Sequence, residues 1–411
     1  VPANGVAVYD VRLSAKAKAP AEAPATSIEN SRYRLTLDAN GDIASLFDKE
    51  AGREMVKPGK AIRLAMITDN ESFAWPAWEV TKKTVDTPSE AITENVETAL
   101  VADGPLRKTL RVNRRHGDSQ FTQYISLSEG PLADRVDFYN EIDWRSLNSL
   151  LKAEFPLSVS NPEATYDLGI GAVRRGNNTP SAYEVYAQHW ADLSDTSDKY
   201  GATVMNDCKY GWDKPDDNTL RLTLLHTPKT KDGYKYQDHQ DLGRHTFTYS
   251  IAAHNGALDR AATDANADRL NQRVKAFTVT PHKGDLGRNF SLASVDNKAL
   301  AIKALKKAET SDEYVVRVYD TQSGRISFAM PIESAVEADG TEKTLADATF
   351  HGNDLNVEVP ANSIRTYKVR LQKEASVQPI PSLQLPLDYN KRCMSWNEFR
   401  SEADFLNGLS Y

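Results

Sequence analysis

Apolar and polar residues alternate in short runs through about the first 250 positions, and clusters of Asp, Asn, Gly and Pro break the runs, a pattern of half-buried strands rather than helices. Arg32–Leu37 alternates, Asp38–Asp42 supplies turn chemistry and Ile43–Phe47 returns, which predicts a hairpin. Leu106–Val112, Phe121–Leu127, Arg135–Ile142, Leu150–Val159, Glu184–His189, Tyr200–Met205 and Leu220–Leu225 follow the same rule. Together they predict a large antiparallel β-sandwich, or supersandwich, over residues 28–257. Leu258–Leu270 favours helix through Ala262, Ala265 and Ala267, so a helical connection is expected over 258–275. Leu292–Val295, Leu300–Leu305, Glu313–Tyr319, Arg325–Phe328, Asn356–Val359 and Ile364–Leu371 then predict a smaller β-sandwich over 276–373. The fold class expected is mainly β, with one short connecting helix.

The two ends read differently. Val1–Leu13 alternates and reads as a strand, covering 1–15, that arrives from a missing upstream domain. The Ala, Pro and Lys of 16–27 carry no period and suit a flexible linker. Residues 374–411 begin rich in Pro and Gln and read as an extended tail that continues into a missing downstream part.

Length sharpens the picture: 411 residues exceed what one hydrophobic core usually organises, which agrees with two sandwiches. A net charge of -7 with interspersed signs offers no basic stripe for phosphates, so neither nucleic acid nor an anionic membrane surface is an expected partner. No apolar run approaches the roughly 20 residues of a membrane helix, and a soluble chain is expected. Cys208 and Cys393 are too few for a disulfide framework and lack zinc-binding spacing.

The densest polar stretch is Asn206–Trp212 (NDCKYGW), held between two predicted strands, where a β protein commonly presents a site. Asp207 could join another carboxylate as an acid/base pair, or only brace a turn. His239, Gln240 and Asp241 could chelate a metal, but alternation on a single strand needs further ligands from elsewhere, and a solvated turn is the favoured reading. His245 stands at the mouth of a strand with alternating Phe247, Tyr249 and Ile251, either as a ligand group or as a hydrogen-bonded strand-end residue. Trp190, and Trp75 with Trp78, could stack on sugar rings or fill a sandwich core. Glycine-rich phosphate loops, His-Glu-x-x-His helices and Gly-x-Ser-x-Gly elbows are missing from the sequence.

Several segments, in order, resemble the carboxy-terminal β-region of family 38 α-mannosidases, bacterial and cytosolic branch. They include GDIASLFDKEAGREM (Gly41 to Met55), AWEV (Ala77 to Val80), DGPLRKTLRV (Asp103 to Val112), DWRSLNSLLKAEFP (Asp143 to Pro156), EVYAQHWADLS (Glu184 to Ser194), YGATVMNDCKYGWD (Tyr200 to Asp213), LRLTLLHTP (Leu220 to Pro228) and DLGRHTFTYSI (Asp241 to Ile251). ADRLNQ (Ala267 to Gln272) looks like that region's exit, and LPLDYNKRCMSW with ADFLNGLSY looks like a late segment of the family. The polar insertion Lys229 to Gln240 is longer than the cytosolic branch leads one to expect.

The resemblance implies a retaining exo-α-mannosidase acting on α-mannoside glycans. Its zinc, the metal's His and Asp ligands and an aspartate nucleophile belong to an amino-terminal catalytic α/β domain followed by a helical bundle, none of it in this sequence. The chain is then expected to be an internal fragment or one piece of a nicked enzyme, inactive alone, with no catalytic or metal residue of its own. The resemblance places Asn206, Asp207, Lys209 and Tyr210 on a rim facing the catalytic domain, with Asp241 and His245 beside them and Arg175 as a further substrate-binding candidate. Their implied work is to bind sugar hydroxyls or to fix the domain interface. A homo-oligomer is compatible with this reading, and both periplasm and cytoplasm stay open. Two alternatives remain: a free-standing carbohydrate-binding sandwich, and a polysaccharide lyase that uses Asn, Tyr, His and Arg without a carboxylate pair.

Overall fold

The computed structural model describes residues 1–12, 22–320 and 323–372. The tail expected over 374–411, Cys393 within it, and residues 16–21 of the linker lie outside the described residues. The chain divides into two compact units. Of the described residues, the larger holds 22–259, and the smaller holds 1–12 with 260–320 and 323–372. The fold is mainly β, and its ladders are antiparallel.

In the larger unit a nine-stranded sheet runs from the edge strand Ala172–Gly176 to Glu94–Asp103, with Tyr200–Asn206, Gly243–Asn255 and Val136–Trp144 adjacent near its middle. A six-stranded sheet orders Val185–Tyr186, Gly211–Asp216, Thr219–Thr227, Ser149–Pro156, Arg63–Ile67 and Glu90–Ala91. The predicted hairpin forms as Tyr33–Leu37 and Ile43–Asp48 within a four-stranded sheet. Period-2 alternation decides what faces inward. Along Ser119–Ser128, for example, Phe121, Ile125 and Leu127 are buried while their neighbours are not.

Three rings join the two large sheets. Phe138 stacks on its cross-strand partner Tyr249 at 4.8 Å, and Phe155 of the six-stranded sheet meets both edge-on at 6.4 and 5.7 Å. Full burial of such a side chain contributes about 1.5–3 kcal/mol, and edge-on contact adds to it. Trp144 Nε1 also crosses the layers, donating to Thr227 Oγ1 at 2.8 Å.

Some segments depart from the sequence reading. Among the described residues of the Val1–Leu13 run, the strand is Gly5–Ala7, which pairs with Asn289–Ser291 of its own unit. Gly5 permits that close approach, since a Cβ there would lie 1.9 Å from the Phe290 carbonyl oxygen. The expected strand Glu184–His189 is instead Val185–Tyr186, followed after a crossing by Trp190–Ser194 in the other sheet. Gly211–Asp216, expected as loop and turn, is a strand. The helix occupies Arg260–Asn271 and buries Ala267 and Leu270. In the smaller unit, sheets of four and five strands enclose a separate core around Val316, Val318, Ile326, Leu355 and Val369.

Near one edge of the nine-stranded sheet, Asp192 gathers three donors. Thr203 Oγ1 and Ser194 Oγ donate to its two carboxylate oxygens at 2.8 and 2.7 Å, and His254 Nε2 lies 2.9 Å away. Burial opposes protonation of His254, but the hydrogen bond and charge of Asp192, with the Gly256 carbonyl at Nδ1, outweigh it and raise its pKa. A raised pKa means that this stabilisation is full below the unfolded value of about 6.5 and fades as pH climbs through the folded one. His254→Ala is therefore expected to lower Tm more at about pH 5.5 than at about pH 8.5, read by circular dichroism melts, and an equal loss at both contradicts the charged pair.

Candidate functional site

Among the places where the chain passes between the two large sheets are 145–148, 187–189, 207–210 and 228–242. The register places these crossings at one end of the sandwich: Trp144 pairs with Gly243, Ser149 with Thr227, and Asn206 with Tyr249 on the strand that starts at Gly243. Loops gathered at a sandwich end are free to carry a site because the sheets hold their bases.

The residues singled out in the sequence divide into framework and surface groups. Asn206 is buried; its Nδ2 donates to the Gln188 carbonyl at 3.0 Å and its Oδ1 accepts from Lys209 N at 2.8 Å, closing the turn. Asp207 Oδ2 accepts from Thr248 N at 3.0 Å, while its own N–H donates to the Thr248 carbonyl. Asp241 has φ 58°, and its Oδ2 accepts from His226 N at 2.7 Å. These three side chains spend hydrogen bonds on shaping loops. Lys209 lays its ammonium 4.9 Å from the centre of the Phe247 ring, and Tyr210 is half exposed with its carbonyl accepting from Ala187 N. His245, two residues before Phe247, donates from Nε2 to the Asp241 carbonyl at 2.6 Å. His239 pairs with Asp238 at 2.5 Å.

Arg175 lies on the edge strand of the nine-stranded sheet. Its Nη1 donates to the Tyr186 carbonyl at 2.7 Å, and the guanidinium sits against the Tyr166 and Tyr186 rings at 5.2 and 4.9 Å. Arg175, Ser181, Ala182, Glu184, Tyr186 and Gly211 line an open depression of about 380 Å³. Tyr186 pairs with Gly211, so Tyr210 follows directly on this wall. Arg175 belongs to this depression and Tyr210 adjoins it through Gly211, whereas Lys209 lies on Phe247, two residues from His245, which is itself bonded to Asp241.

Beneath the depression lies a cluster of charges that the sequence reading did not single out. Lys152 is fully buried, and its Nζ donates to Glu184 Oε2 at 2.6 Å, Asp213 Oδ1 at 2.8 Å and Thr223 Oγ1 at 2.7 Å. Arg221 binds Asp213 through Nε and Nη2, and Asn178 Nδ2 donates to the same carboxylate at 2.9 Å. Burial pushes the Asp213 carboxyl up, but the Lys152 and Arg221 charges outweigh it and hold it below the usual range. Leu220, Leu222 and Leu224 face the sandwich core, so alternation puts Arg221 and Thr223 on the sheet's other face with this cluster. Glu184 alone reaches the depression, with 18% of its side chain exposed. A Cβ on Gly211 would come 2.5 Å from Glu184 Oε1, so this carboxylate position requires glycine. The available signal was a lone Lys in the apolar run Leu150–Phe155 and the charge of Glu184 just ahead of an apolar pair.

Residues 28–234 match the family model described as Glycosyl hydrolases family 38 C-terminal domain. The chain belongs to glycosyl hydrolase family 38. It is 29% identical over 341 residues to Alpha-mannosidase 2C1 of Mus musculus, covering 79% of this chain and 31% of the relative. It is 27% identical over 369 residues to Alpha-mannosidase G of Dictyostelium discoideum, covering 83% and 32%. The chain thus spans about a third of the length of these curated relatives. Its fold is similar to that of a glycosyl hydrolase family 38 protein from Enterococcus faecalis, with TM-score 0.68 and 17% identity over 88% of this chain and 46% of that one. Among the described residues no three His, Cys, Asp or Glu side chains converge as a metal-ligand set.

Removing one partner from a buried ion cluster leaves uncompensated charge, at a cost of about 3–5 kcal/mol. Lys152→Ala is expected to destabilise the chain by that order in urea denaturation, and Lys152→Ala with Glu184→Gln to lose less than the single-site losses combined. Strict additivity contradicts the coupling.

Proposed function

We propose that this family 38 chain is the non-catalytic β-region of a retaining, zinc-dependent exo-α-mannosidase that hydrolyses α-mannosides of glycans. The match of residues 28–234 to the family's C-terminal domain carries the reading, and the named relatives, all α-mannosidases, support it. Retaining hydrolysis needs a nucleophile and an acid/base carboxyl about 5 Å apart. In this reading those groups and the zinc belong to an amino-terminal catalytic α/β domain and helical bundle outside the chain, and the chain alone is inactive.

What this chain supplies is orientation. A mannoside offers several hydroxyls and no charge, so its wall requires fixed donors and acceptors that turn toward the sugar without moving. Tyr210 offers a hydroxyl, Lys209 and Arg175 offer cationic donors, and His245 offers a ring nitrogen from the second part of the same end. Asn206, Asp207 and Asp241 act on substrate through the loops they close. Glu184 is the acceptor of this set: its carboxylate is paired with Lys152 and opens onto the depression below Tyr186. The same face is proposed to pack toward the catalytic domain, so sugar and domain meet it together. Among the described residues no helix is long and apolar enough to cross a membrane.

The test uses the complete enzyme. Tyr210→Phe and Glu184→Gln are each expected to lower kcat/KM for a mannoside by about tenfold, the loss of one hydrogen bond to substrate, with zinc content unchanged. Asp207→Ala, acting through its loop, follows in the same direction. Unchanged kinetics in all three sinks the assignment of this face to substrate.

A further inference from the structure

Trp144, Trp190 and Trp212 are fully buried, as core tryptophans are, but Trp75 and Trp78 are 56% and 82% exposed. Their rings stack on each other, centroids 5.4 Å apart and planes within 6°. Phe73 beside them is also exposed. Large aromatic surface left in water at one spot marks a recognition site more often than chance.

The loop that carries these rings is fastened from beneath. Glu79 Oε1 accepts from Ser72 Oγ at 2.8 Å and from Trp75 N, while Trp78 N and Glu79 N both donate to the Trp75 carbonyl. Ser72 N donates to the Lys229 carbonyl and Lys229 N to the Asn70 carbonyl. His226 Nε2 donates to the Pro76 carbonyl at 3.1 Å, and its Nδ1 accepts from Asn70 Nδ2 at 3.0 Å, an arrangement for the neutral ring that burial also favours. The backbone that carries the rings is therefore fixed before any ligand arrives, and the rings brace each other through their stack. The loop follows the strand Arg63–Ile67, whose Ile67 pairs with Leu150, so it stands at the sandwich end that carries Asp241 and Tyr210, and His226 N binds Asp241.

Size and surroundings choose the occupant. Two indoles present roughly 150–250 Å² each, far below the about 800 Å² per partner of a stable protein interface but suited to one sugar ring. The base of the loop carries ion pairs of Glu71 with Lys83 and Lys229 and of Lys83 with Asp69, partly exposed and able to bond hydroxyls. A pyranose has the matching character, an apolar C–H face edged by hydroxyls.

We propose that Trp75 and Trp78 form a pyranose-stacking subsite that holds a further sugar of a glycan, separate from the hydroxyl-binding wall around Tyr210 and Glu184. This rests on the reading of the chain as part of a glycan-processing enzyme. Trp78 offers its free face to the sugar, and Trp75 keeps that face oriented.

The experiment compares wild type, Trp78→Ala and Trp78→Phe in the complete enzyme, with an aryl α-mannoside and an α-linked mannotriose. Trp78→Ala is expected to raise KM for the trisaccharide by about threefold to tenfold and to leave the aryl mannoside unchanged, and Trp78→Phe to restore most of the loss. Equal effects on both substrates, or none, overturn the subsite. So does a change in oligomeric state with KM unmoved, which assigns the rings to an interface. If the wild type hydrolyses neither substrate, the mannosidase reading fails, and fluorescence titration with mannotriose still decides the subsite. Saturable quenching lost in Trp78→Ala supports it, and quenching absent from the wild type overturns it.

Discussion

A buried ammonium governs one end of the larger sandwich. Lys152 lies on an interior strand among the buried Leu150, Leu151 and Ala153, where an unpaired charge would cost several kcal/mol. Two carboxylates must therefore reach it: Asp213 from two strands away, and Glu184 from the sheet's edge. Asp213 in turn holds Arg221 and Asn178, which fastens the segment leading to Glu184 over the outer face of the sheet. That segment ends in Tyr186, whose carbonyl and ring seat Arg175. The chain of compensation thus runs from one lysine to the wall of the depression, where a Cβ on Gly211 would displace the Glu184 carboxylate.

Much of the fold was legible because alternation is a direct consequence of strand geometry. The hairpin around Asp38–Asp42, the strands through Phe121 and Phe138, and the helix near Ala262 all stand where period and turn chemistry put them. Failures occur where tertiary constraint acts against period. Glu184–His189 alternates like one strand, yet hydrogen bonds from Ala187 N to Tyr210 and from Gln188 N to Asp167 carry it from one sheet to the other. Gly211–Asp216 contains Pro215 and several charges, so its strand character comes from the demand for Asp213 beneath Lys152 and not from local preference.

The candidate site was legible in outline. Asn206–Tyr210 was visible as a dense polar stretch, and it does form a crossing at the loop-bearing end. What sequence could not separate was shaping from presenting. Asn206 and Asp207 look as available as Lys209 and Tyr210 in the sequence, and only their bonds to Gln188, Thr248 and Lys209 distinguish them. Glu184 was missed because its significance depends on a lysine 32 positions away. Trp75 and Trp190 were indistinguishable by type. Burial places one in water and the other in the core.

The central claim is that this β-region forms part of the sugar-binding wall in a larger mannosidase. The most direct measurement is a crystal structure of the complete enzyme with a mannose-like inhibitor bound. A sugar-binding wall places the Tyr210 hydroxyl and the Glu184 carboxylate at hydrogen-bond distance from the inhibitor, about 2.6–3.2 Å, with Lys152 still beneath Glu184. An inhibitor bound with both groups remote from it, and with the depression open to solvent on the far side of the molecule, would contradict the claim.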